Sequence, residues 1–550
     1  MTMRWLLIGL LGVGFLLRLL GVTYGLPLDL FGDEFVHVVT AFTFLNDVTL
    51  RALSPLSYVP SLFAVLMLPF VVLFGGIGMF AGMFDGIAGF KEFAVMNASY
   101  FLSIGRTLSA AFGVAFIYLI YLLARPLAGR WPALVVAGLA MADFWLVHES
   151  HKAHFWMPAT TLLALVFFML LQMVKTGRLR YYWGSVVSVA LAFWMGFFPI
   201  VVAPFFLLAY FHARVRNISH FLYAGGILAV LLTLISWLNP LSVVKQFGRA
   251  IRSAFNVVGI DIFPQFVGPS DKATEPFQNL YFLLHTLFLD NPFVFVLGVL
   301  GLLLMVYKLS WRSFVVQLLF GFFILYLSLA MFVWPHPDHR YILPLLVPLF
   351  IGTAYALSTL YEMFRSKRWV RPAGAVLLVL LFGYSLYVTL PYSALLLKQD
   401  TRLEAREWIF EHVPEGAGIY TDVNYFDLPK SREAINFYSK EFPAALRTKD
   451  TASLALSEEQ FPRPSYFVID SQYASQLGPV GARYIYLVVG FPALTERMAV
   501  PPGFTLVAAF YPGDLAKPLD DLLQSPRNIF TAVGTLTHLG PHIEIYKRVE

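Results

Sequence analysis

Predominantly apolar runs of close to 20 residues recur at nine places along the chain: 5–24, 99–124, 131–148, 156–174, 218–238, 291–307, 313–333, 341–361 and 372–391. At 1.5 Å per helical residue, each is long enough to cross the hydrocarbon core of a bilayer. The stretch 182–212 is longer and carries Gly196 and Pro199 near its middle, so it reads as two short spans joined by a tight turn. The pattern predicts about eleven transmembrane helices. One further apolar run, 58–78, does not declare itself by hydropathy alone.

Loop charge decides that run. If 58–78 does not cross, one side of the membrane collects fourteen Lys and Arg, from Arg4 to Arg371, with only Glu362 opposing them. That is the positive-inside pattern. If it did cross, either the Arg4 end or most of the basic loops would face the wrong way. The run is therefore expected to be a re-entrant or interfacial helix on the outer side. The outer side then holds the loop 25–98, the turn at Glu149–His154, the loop 239–288, the turn Trp334–Arg340 and the tail 392–550.

The tail changes character. Leu403–His412 reads as an amphipathic helix, and Gly418–Val423, Ser465–Asp470, Arg483–Val489 and Ile543–Lys547 read as short strands. The expected organisation is a transmembrane domain over 1–391, with its external loops 25–98 and 239–288, followed by an external soluble α/β domain over 392–550. Met1–Tyr24 is read as a retained first span rather than a leader, because Arg18 interrupts it and no small-residue cleavage site follows.

Composition agrees with a chain that sits mostly in lipid. Of 550 residues, 58% are hydrophobic and only 13% charged, against about 25% charged in ordinary soluble domains. A net charge of +6, scattered over many loops, gives no nucleic-acid surface. With no cysteine, disulfides, thiolate catalysis and Cys-ligated metals are excluded.

Three polar clusters, far apart in sequence, fall at outer membrane boundaries. The first is Gly32-Asp33-Glu34-Phe35-Val36-His37, just after the first span. A carboxylate between lipid and water is partly desolvated, which raises its basicity and suits a general base. Asp33 reads equally well as a helix cap. The second is His148-Glu149-Ser150-His151-Lys152-Ala153-His154, where Lys152 among imidazoles would suit a phosphate and the histidines are weaker metal candidates. The third is Trp334-Pro335-His336-Pro337-Asp338-His339-Arg340-Tyr341, in which proline-stiffened backbone aims the planar fork of Arg340. Its alternative is an arginine snorkelling to the interface. Arg18, Arg106 and Lys245 are further outward cations, and Arg18, inside a span, is expected to pair with Asp33 or Glu34.

At these residues the chain resembles the C-type glycosyltransferases (GT-C), specifically family 39, which includes protein O-mannosyltransferases and the aminoarabinose transferase of lipid A. The resemblance rests on Asp33-Glu34 after the first span and on Arg106-Thr107-Leu108-Ser109-Ala110 opening the second. It rests also on Arg340-Tyr341-Ile342-Leu343-Pro344 at a late span and on the C-terminal Gly540-Pro541-His542-Ile543-Glu544-Ile545-Tyr546. The resemblance implies transfer of a sugar from a polyprenyl-phosphate donor to a hydroxyl of a glycan, lipid or protein acceptor, on the outer face of the cell membrane and with inversion. It implies that Asp33 takes the acceptor proton and Glu34 orients it or the donor. Arg340 would bind the carrier phosphate, within a substrate-binding set that also includes His339, Tyr341, His37, Lys152, His154 and Arg106. One departure stands out: where the family often has an acid near Trp156, this chain reads Phe155-Trp156-Met157.

A divalent metal stays open, with Asp33, Glu34 and Glu149 as the carboxylates that could form a site. So do three other readings: a transporter or flippase of lipid-linked sugars, which would place polar residues and broken helices at mid-membrane, a transferase using a polyprenyl-diphosphate oligosaccharide, and a non-catalytic assembly protein whose outer domain is the working part.

Overall fold

The computed structural model describes residues 2–28, 30–31, 34–46, 62–196, 201–213, 218–238, 276–333, 338–413, 418–421, 435–436, 485–491, 504–511, 536–539 and 542–548. Asp33, the loop 239–275, the turn 334–337 and the expected strand Ser465–Asp470 lie outside them. The chain divides into two compact units, one of Met1–Val22 with Asp33–Thr389 and one of Thr23–Gly32 with Leu390–Glu550.

The first unit is helical. It contains α1 (Thr2–Leu19), α2 (Glu34–Asn46), α3 (Leu62–Phe80), α4 (Gly86–Met96), α5 (Leu102–Ala128), α6 (Arg130–Ala142), α7 (Phe144–Ser150) and α8 (Trp156–Thr176). Further helices follow over Leu179–Met195, Ala203–His212, Ile218–Leu238, Pro276–Asp290, Pro292–Leu309, Phe314–Val333, Leu343–Phe364 and Val370–Leu395. Every long apolar run read from the sequence forms helix. Among the described residues seven helices are long and apolar enough to cross a membrane, or eight if the bent pair α6 and α7 is one span. The chain is thus a polytopic helical membrane protein.

Among the described residues the count of eleven is not reached, and two of the differences have local causes. The stretch 182–212 breaks into Leu179–Met195 and the ten-residue Ala203–His212, and ten residues cover only about 15 Å. The run 131–148 bends by 55° at Asp143, whose side chain accepts from the Leu146 N–H and starts α7 afresh. Helix α3 is itself long enough to cross, so its reading as a non-crossing helix rests on loop charge alone.

Burial separates the helices by role. Of the 18-residue apolar window within His339–Phe364, 83% is buried, whereas only 22% of the window within Pro372–Leu395 is. The first is the hub of the bundle, and the second presents Val376, Val379, Leu380 and Tyr387 outward, where lipid rather than water is their natural solvent.

The second unit carries a five-stranded mixed sheet in the order β2-β1-β3-β5-β4, with β1 (Gly418–Thr421), β2 (Ile435–Asn436), β3 (Ile485–Phe491), β4 (Phe504–Phe510) and β5 (His542–Arg548). β1 pairs in parallel with β2 and β3, while β5 runs antiparallel to β3 and β4. Helix Thr401–His412 buries Ala405 and Ile409. Its cap, Asp400, accepts from the Arg402 backbone, pairs with the Arg402 guanidinium at 2.8 Å and receives the Tyr24 hydroxyl. That contact ties the segment Thr23–Gly32 into this unit. The helix and β1, β3 and β5 match the sequence reading; β4 does not, because Phe504-Thr505-Leu506-Val507-Ala508-Ala509-Phe510 lacks a clean period of two and carries an irregularity at Leu506/Ala508.

Candidate functional site

Glu34 opens α2 and is fully buried. Arg106, in the second turn of α5, lays its fork against that carboxylate: Nε donates to Oε1 at 3.0 Å and Nη2 to Oε2 at 2.7 Å. The Ala153 N–H donates to Oε1 as well. Arg106 Nη1 also reaches the Val22 carbonyl at 3.1 Å. A buried ion pair is tolerated only when its lone pairs and protons are met by further hydrogen bonds, and here they are. Three donors thus converge on the Glu34 carboxylate and fix its geometry.

Small residues make this approach feasible. A Cβ on Gly105 would stand 2.6 Å from the Ala153 Cβ, so glycine there lets α5 touch the loop whose N–H reaches Glu34. A Cβ on Gly113 would meet the Ser150 hydroxyl at 2.5 Å and Arg18 Nε at 2.6 Å.

The sequence expectation for Arg18 is corrected. Its guanidinium donates to Ser150 Oγ at 3.1 Å and to the carbonyls of Gly14, Ala140 and Met141, and it is Arg106 that pairs with Glu34. Carbonyls near the α6–α7 bend sit within reach of Arg18 at the end of α1, so backbone oxygens rather than an outer acid satisfy this buried cation.

His37 lies one turn beyond Glu34. Its ring meets Phe63 edge-on at 5.2 Å and His154 at 5.3 Å between centroids. Burial pushes its pKa down to about 3, so it is a neutral imidazole at physiological pH. Among the described residues neither ring nitrogen of His37 has a hydrogen-bond partner, nor does Nδ1 of His154. His154 is also held well below the usual histidine value, by burial first and then by the His37, Arg340 and Lys152 charges. Burial lowers His151 to about 4, and its Nδ1 lies 2.8 Å from the Val147 carbonyl.

On the other side of the same loop, Lys152 Nζ holds Glu149 Oε1 at 2.6 Å. Glu149 neighbours His148, with Nε2 to Oε1 at 4.0 Å. His339 stacks on Trp145 at 4.0 Å between centroids and stands 6.1 Å from the His148 ring. Arg340 Nε donates to Asp338 Oδ2 at 2.6 Å, and its backbone N–H to Oδ1 at 3.0 Å. Burial pushes the Asp338 carboxyl up, but the His339 and Arg340 charges and these hydrogen bonds hold it below the ordinary range. Tyr341 packs against Trp156 with centroids 5.4 Å apart, so an aromatic contact fills the place where a family acid was looked for.

Residues 148–154 are thus the meeting point. They touch the α2 cluster through Ala153 and His154, and the His339–Tyr341 turn through His148, beside which Trp145 of α7 stacks on His339. Glu34, His37, Arg106, Glu149, Lys152, His154, His339, Arg340 and Tyr341 all belong to one compact unit. The sequence reading passed over Trp145, Asp143 and the Ala153 N–H. A lone Asp inside an otherwise apolar run was the available signal for the bend at Asp143; a backbone N–H leaves none. For a metal, Glu34 is committed to Arg106, while His148, Glu149 and His339 bring ligand atoms within 4.8 Å of one another.

Residues 80–238 match the family model described as dolichyl-phosphate-mannose-protein mannosyltransferase. The match covers under a third of the chain and takes in the Arg106–Ala110 motif. Among solved structures, the chain is similar to the Archaeoglobus fulgidus oligosaccharyltransferase, at 15% identity over 75% of this chain and 58% of that one, with a TM-score of 0.45. It is similar also to ArnT from Cupriavidus metallidurans bound to undecaprenyl phosphate, at 13% identity over 92% of this chain and 96% of that one, with a TM-score of 0.48. The arabinofuranosyltransferase AftD from Mycobacteria is more distant, at 16% identity over 81% of this chain and 35% of that one, with a TM-score of 0.35. The chain therefore spans well under two thirds of the length of the oligosaccharyltransferase it matches. Among curated proteins none matches.

Proposed function

We propose that this chain is a C-type glycosyltransferase that moves a sugar from a polyprenyl-phosphate donor to an acceptor hydroxyl at the outer face of the membrane, inverting the anomeric centre. One observation carries the reading: clusters separated by more than a hundred residues meet around the loop 148–154, with Glu34 locked by Arg106 at 2.7 Å. The mannosyltransferase family match over 80–238 supports the lipid-phosphate donor class.

In this reading Asp33 is the general base. It removes the acceptor proton as the acceptor oxygen bonds to the anomeric carbon, and the bond from that carbon to the phosphate oxygen breaks with its electron pair going to the phosphate. The leaving group already carries charge well, so it needs cationic stabilisation rather than a proton. Lys152 and Arg340 supply it. Both now hold carboxylates, Glu149 and Asp338, and a phosphate arriving beside them shares those cations. Glu34 and Arg106 fix the start of α2 against the loop 148–154, and Asp33 precedes Glu34 in the chain. His37 and His154, neutral and with open nitrogens, offer hydrogen bonds to sugar hydroxyls, with Phe63 beside His37 as an apolar wall. Tyr341 and His339 complete the donor side.

The test is purified protein with a panel of polyprenyl-phosphate sugars, scored for transfer and for donor hydrolysis. Turnover of at least one donor, lost in Asp33→Asn, is expected. A protein that turns over no donor, or an Asp33→Asn variant with wild-type rates, would overturn the assignment.

A further inference from the structure

We infer that His148, Glu149 and His339 form a binding site for one divalent transition-metal ion of the zinc class. Their ligand atoms lie within 4.8 Å of one another. In a tetrahedral zinc site the ligand atoms stand about 3.3 Å apart, given bonds of about 2.0 Å. Two imidazole nitrogens and one carboxylate oxygen are borderline donors that suit zinc over magnesium or calcium, and three protein ligands leave a fourth position open.

The surroundings are built rather than incidental. Trp145 stacks on the His339 ring at 4.0 Å and 23° and meets His148 edge-on at 5.5 Å, while Phe144 stacks on His148 at 5.7 Å. These aromatic contacts hold both imidazoles in place before any ion arrives. His148 Nε2 and Glu149 Oε1 are 4.0 Å apart, too far for a hydrogen bond to each other yet close to the separation of two groups that share an ion. Glu149 is held from outside the triad, since Lys152 donates to its Oε1 at 2.6 Å, while Asp338 Oδ1 stands 3.8 Å from His339 Nδ1, beyond hydrogen-bond distance. A carboxylate has about four lone-pair sites, so Glu149 keeps Lys152 and still ligates. The bland alternative, a Lys152–Glu149 pair and nothing more, does not require two stacked imidazoles beside it, one of them from a segment almost two hundred residues away.

An ion here would pin the end of α7 to the turn His339–Ile342. The site shares His339 and the Lys152–Glu149 pair with the donor side of the sugar-transfer reading, but its test does not use activity, so either can fail without the other. The full-length protein in detergent is stripped with a chelator, dialysed, and titrated with zinc sulfate, and metal per chain is measured by mass spectrometry. Cobalt(II) replaces zinc in a parallel sample for its visible absorption. About one tightly held ion per chain is expected, with the intense cobalt bands of a four-coordinate site. His339→Phe and His148→Phe keep ring stacking but lose the nitrogen, and each should weaken binding by more than about tenfold, as should Glu149→Gln. His412→Ala, on an exposed helix end of the other unit, should change nothing. Absence of a stoichiometric ion, weak six-coordinate cobalt bands, or an ion that survives His339→Phe or leaves with His412→Ala would overturn the inference. Where a site variant does not fold, the wild-type stoichiometry and cobalt spectrum decide.

Discussion

Glu34 and Arg106 sit 72 residues apart and face each other fork to carboxylate, 3.0 and 2.7 Å between heavy atoms, both side chains wholly buried. Taking one member away leaves the other charged and unpaired in a low-dielectric interior, a cost of about 3–5 kcal/mol. Arg106→Met should therefore lower the unfolding midpoint of the detergent-solubilised protein strongly. The double variant Glu34→Met/Arg106→Met should recover part of that loss. A double variant no better than the single one would mean that the pair's charge is not what the fold depends on.

Asp33 adjoins this clamp. If it is the base, Asp33→Asn should reduce sugar transfer by about a hundredfold or more while the thermal midpoint stays near wild type. A comparable fall in stability would assign it to the cap of α2 instead.

Arg340→Ala and Lys152→Ala remove cations from the proposed donor side. Each should raise the apparent KM for the lipid-phosphate donor more than the KM for the acceptor, and the effect should shrink as salt rises for Lys152, the more compactly charged group. Equal effects on both substrates would argue against phosphate contact.

Acid should destabilise the helical unit through its buried imidazoles. The His37 pKa is near 3 in the folded state, against about 6.5 unfolded. Between those values the unfolded chain binds the proton and the folded one does not. Stability is therefore intact above pH 6.5 and declines as pH falls, by about 1.4 kcal/mol per unit for this group. From pH 7.5 to pH 5 the wild type should lose about 2 kcal/mol more than His37→Phe. Equal losses, read from unfolding at the two pH values, would remove His37 from the account.

Topology is testable because the chain has no cysteine. Asp85→Cys and Arg130→Cys are both at exposed positions. Position 85 should react with an impermeant thiol reagent from outside intact cells and position 130 only after the membrane is opened. The reverse pattern, position 130 reacting from outside and position 85 only after opening, would show that α3 crosses after all.

The clean elements were legible early for physical reasons. Twenty apolar residues in a row admit few structures other than a helix in lipid, and the alternation of Ile543-Glu544-Ile545 reads as a strand, although the structure buries Glu544 as well and gives it the Tyr511 hydroxyl. What sequence reading got wrong lies where a local pattern had competitors. Asp143 interrupts an apolar run with a single acid, and only the structure shows it restarting the helix at 55°. Arg18 had several acids to choose from on paper, but it took backbone carbonyls.

By itself the sequence determined that most of this chain lives in lipid, where its long helices run, and that its scarce polar groups gather in three short clusters at span ends. Those follow from hydropathy and spacing, which are local properties. Tertiary structure alone decided which polar group meets which: Arg106 rather than Arg18 on Glu34, the Ala153 N–H beneath it, His37 against His154, and Trp145 stacked on His339. Partner choice depends on how helices pack, on the closeness that Gly105 and Gly113 permit, and on hydrogen-bond demands that each buried charge must meet from whatever lies within a few ångströms.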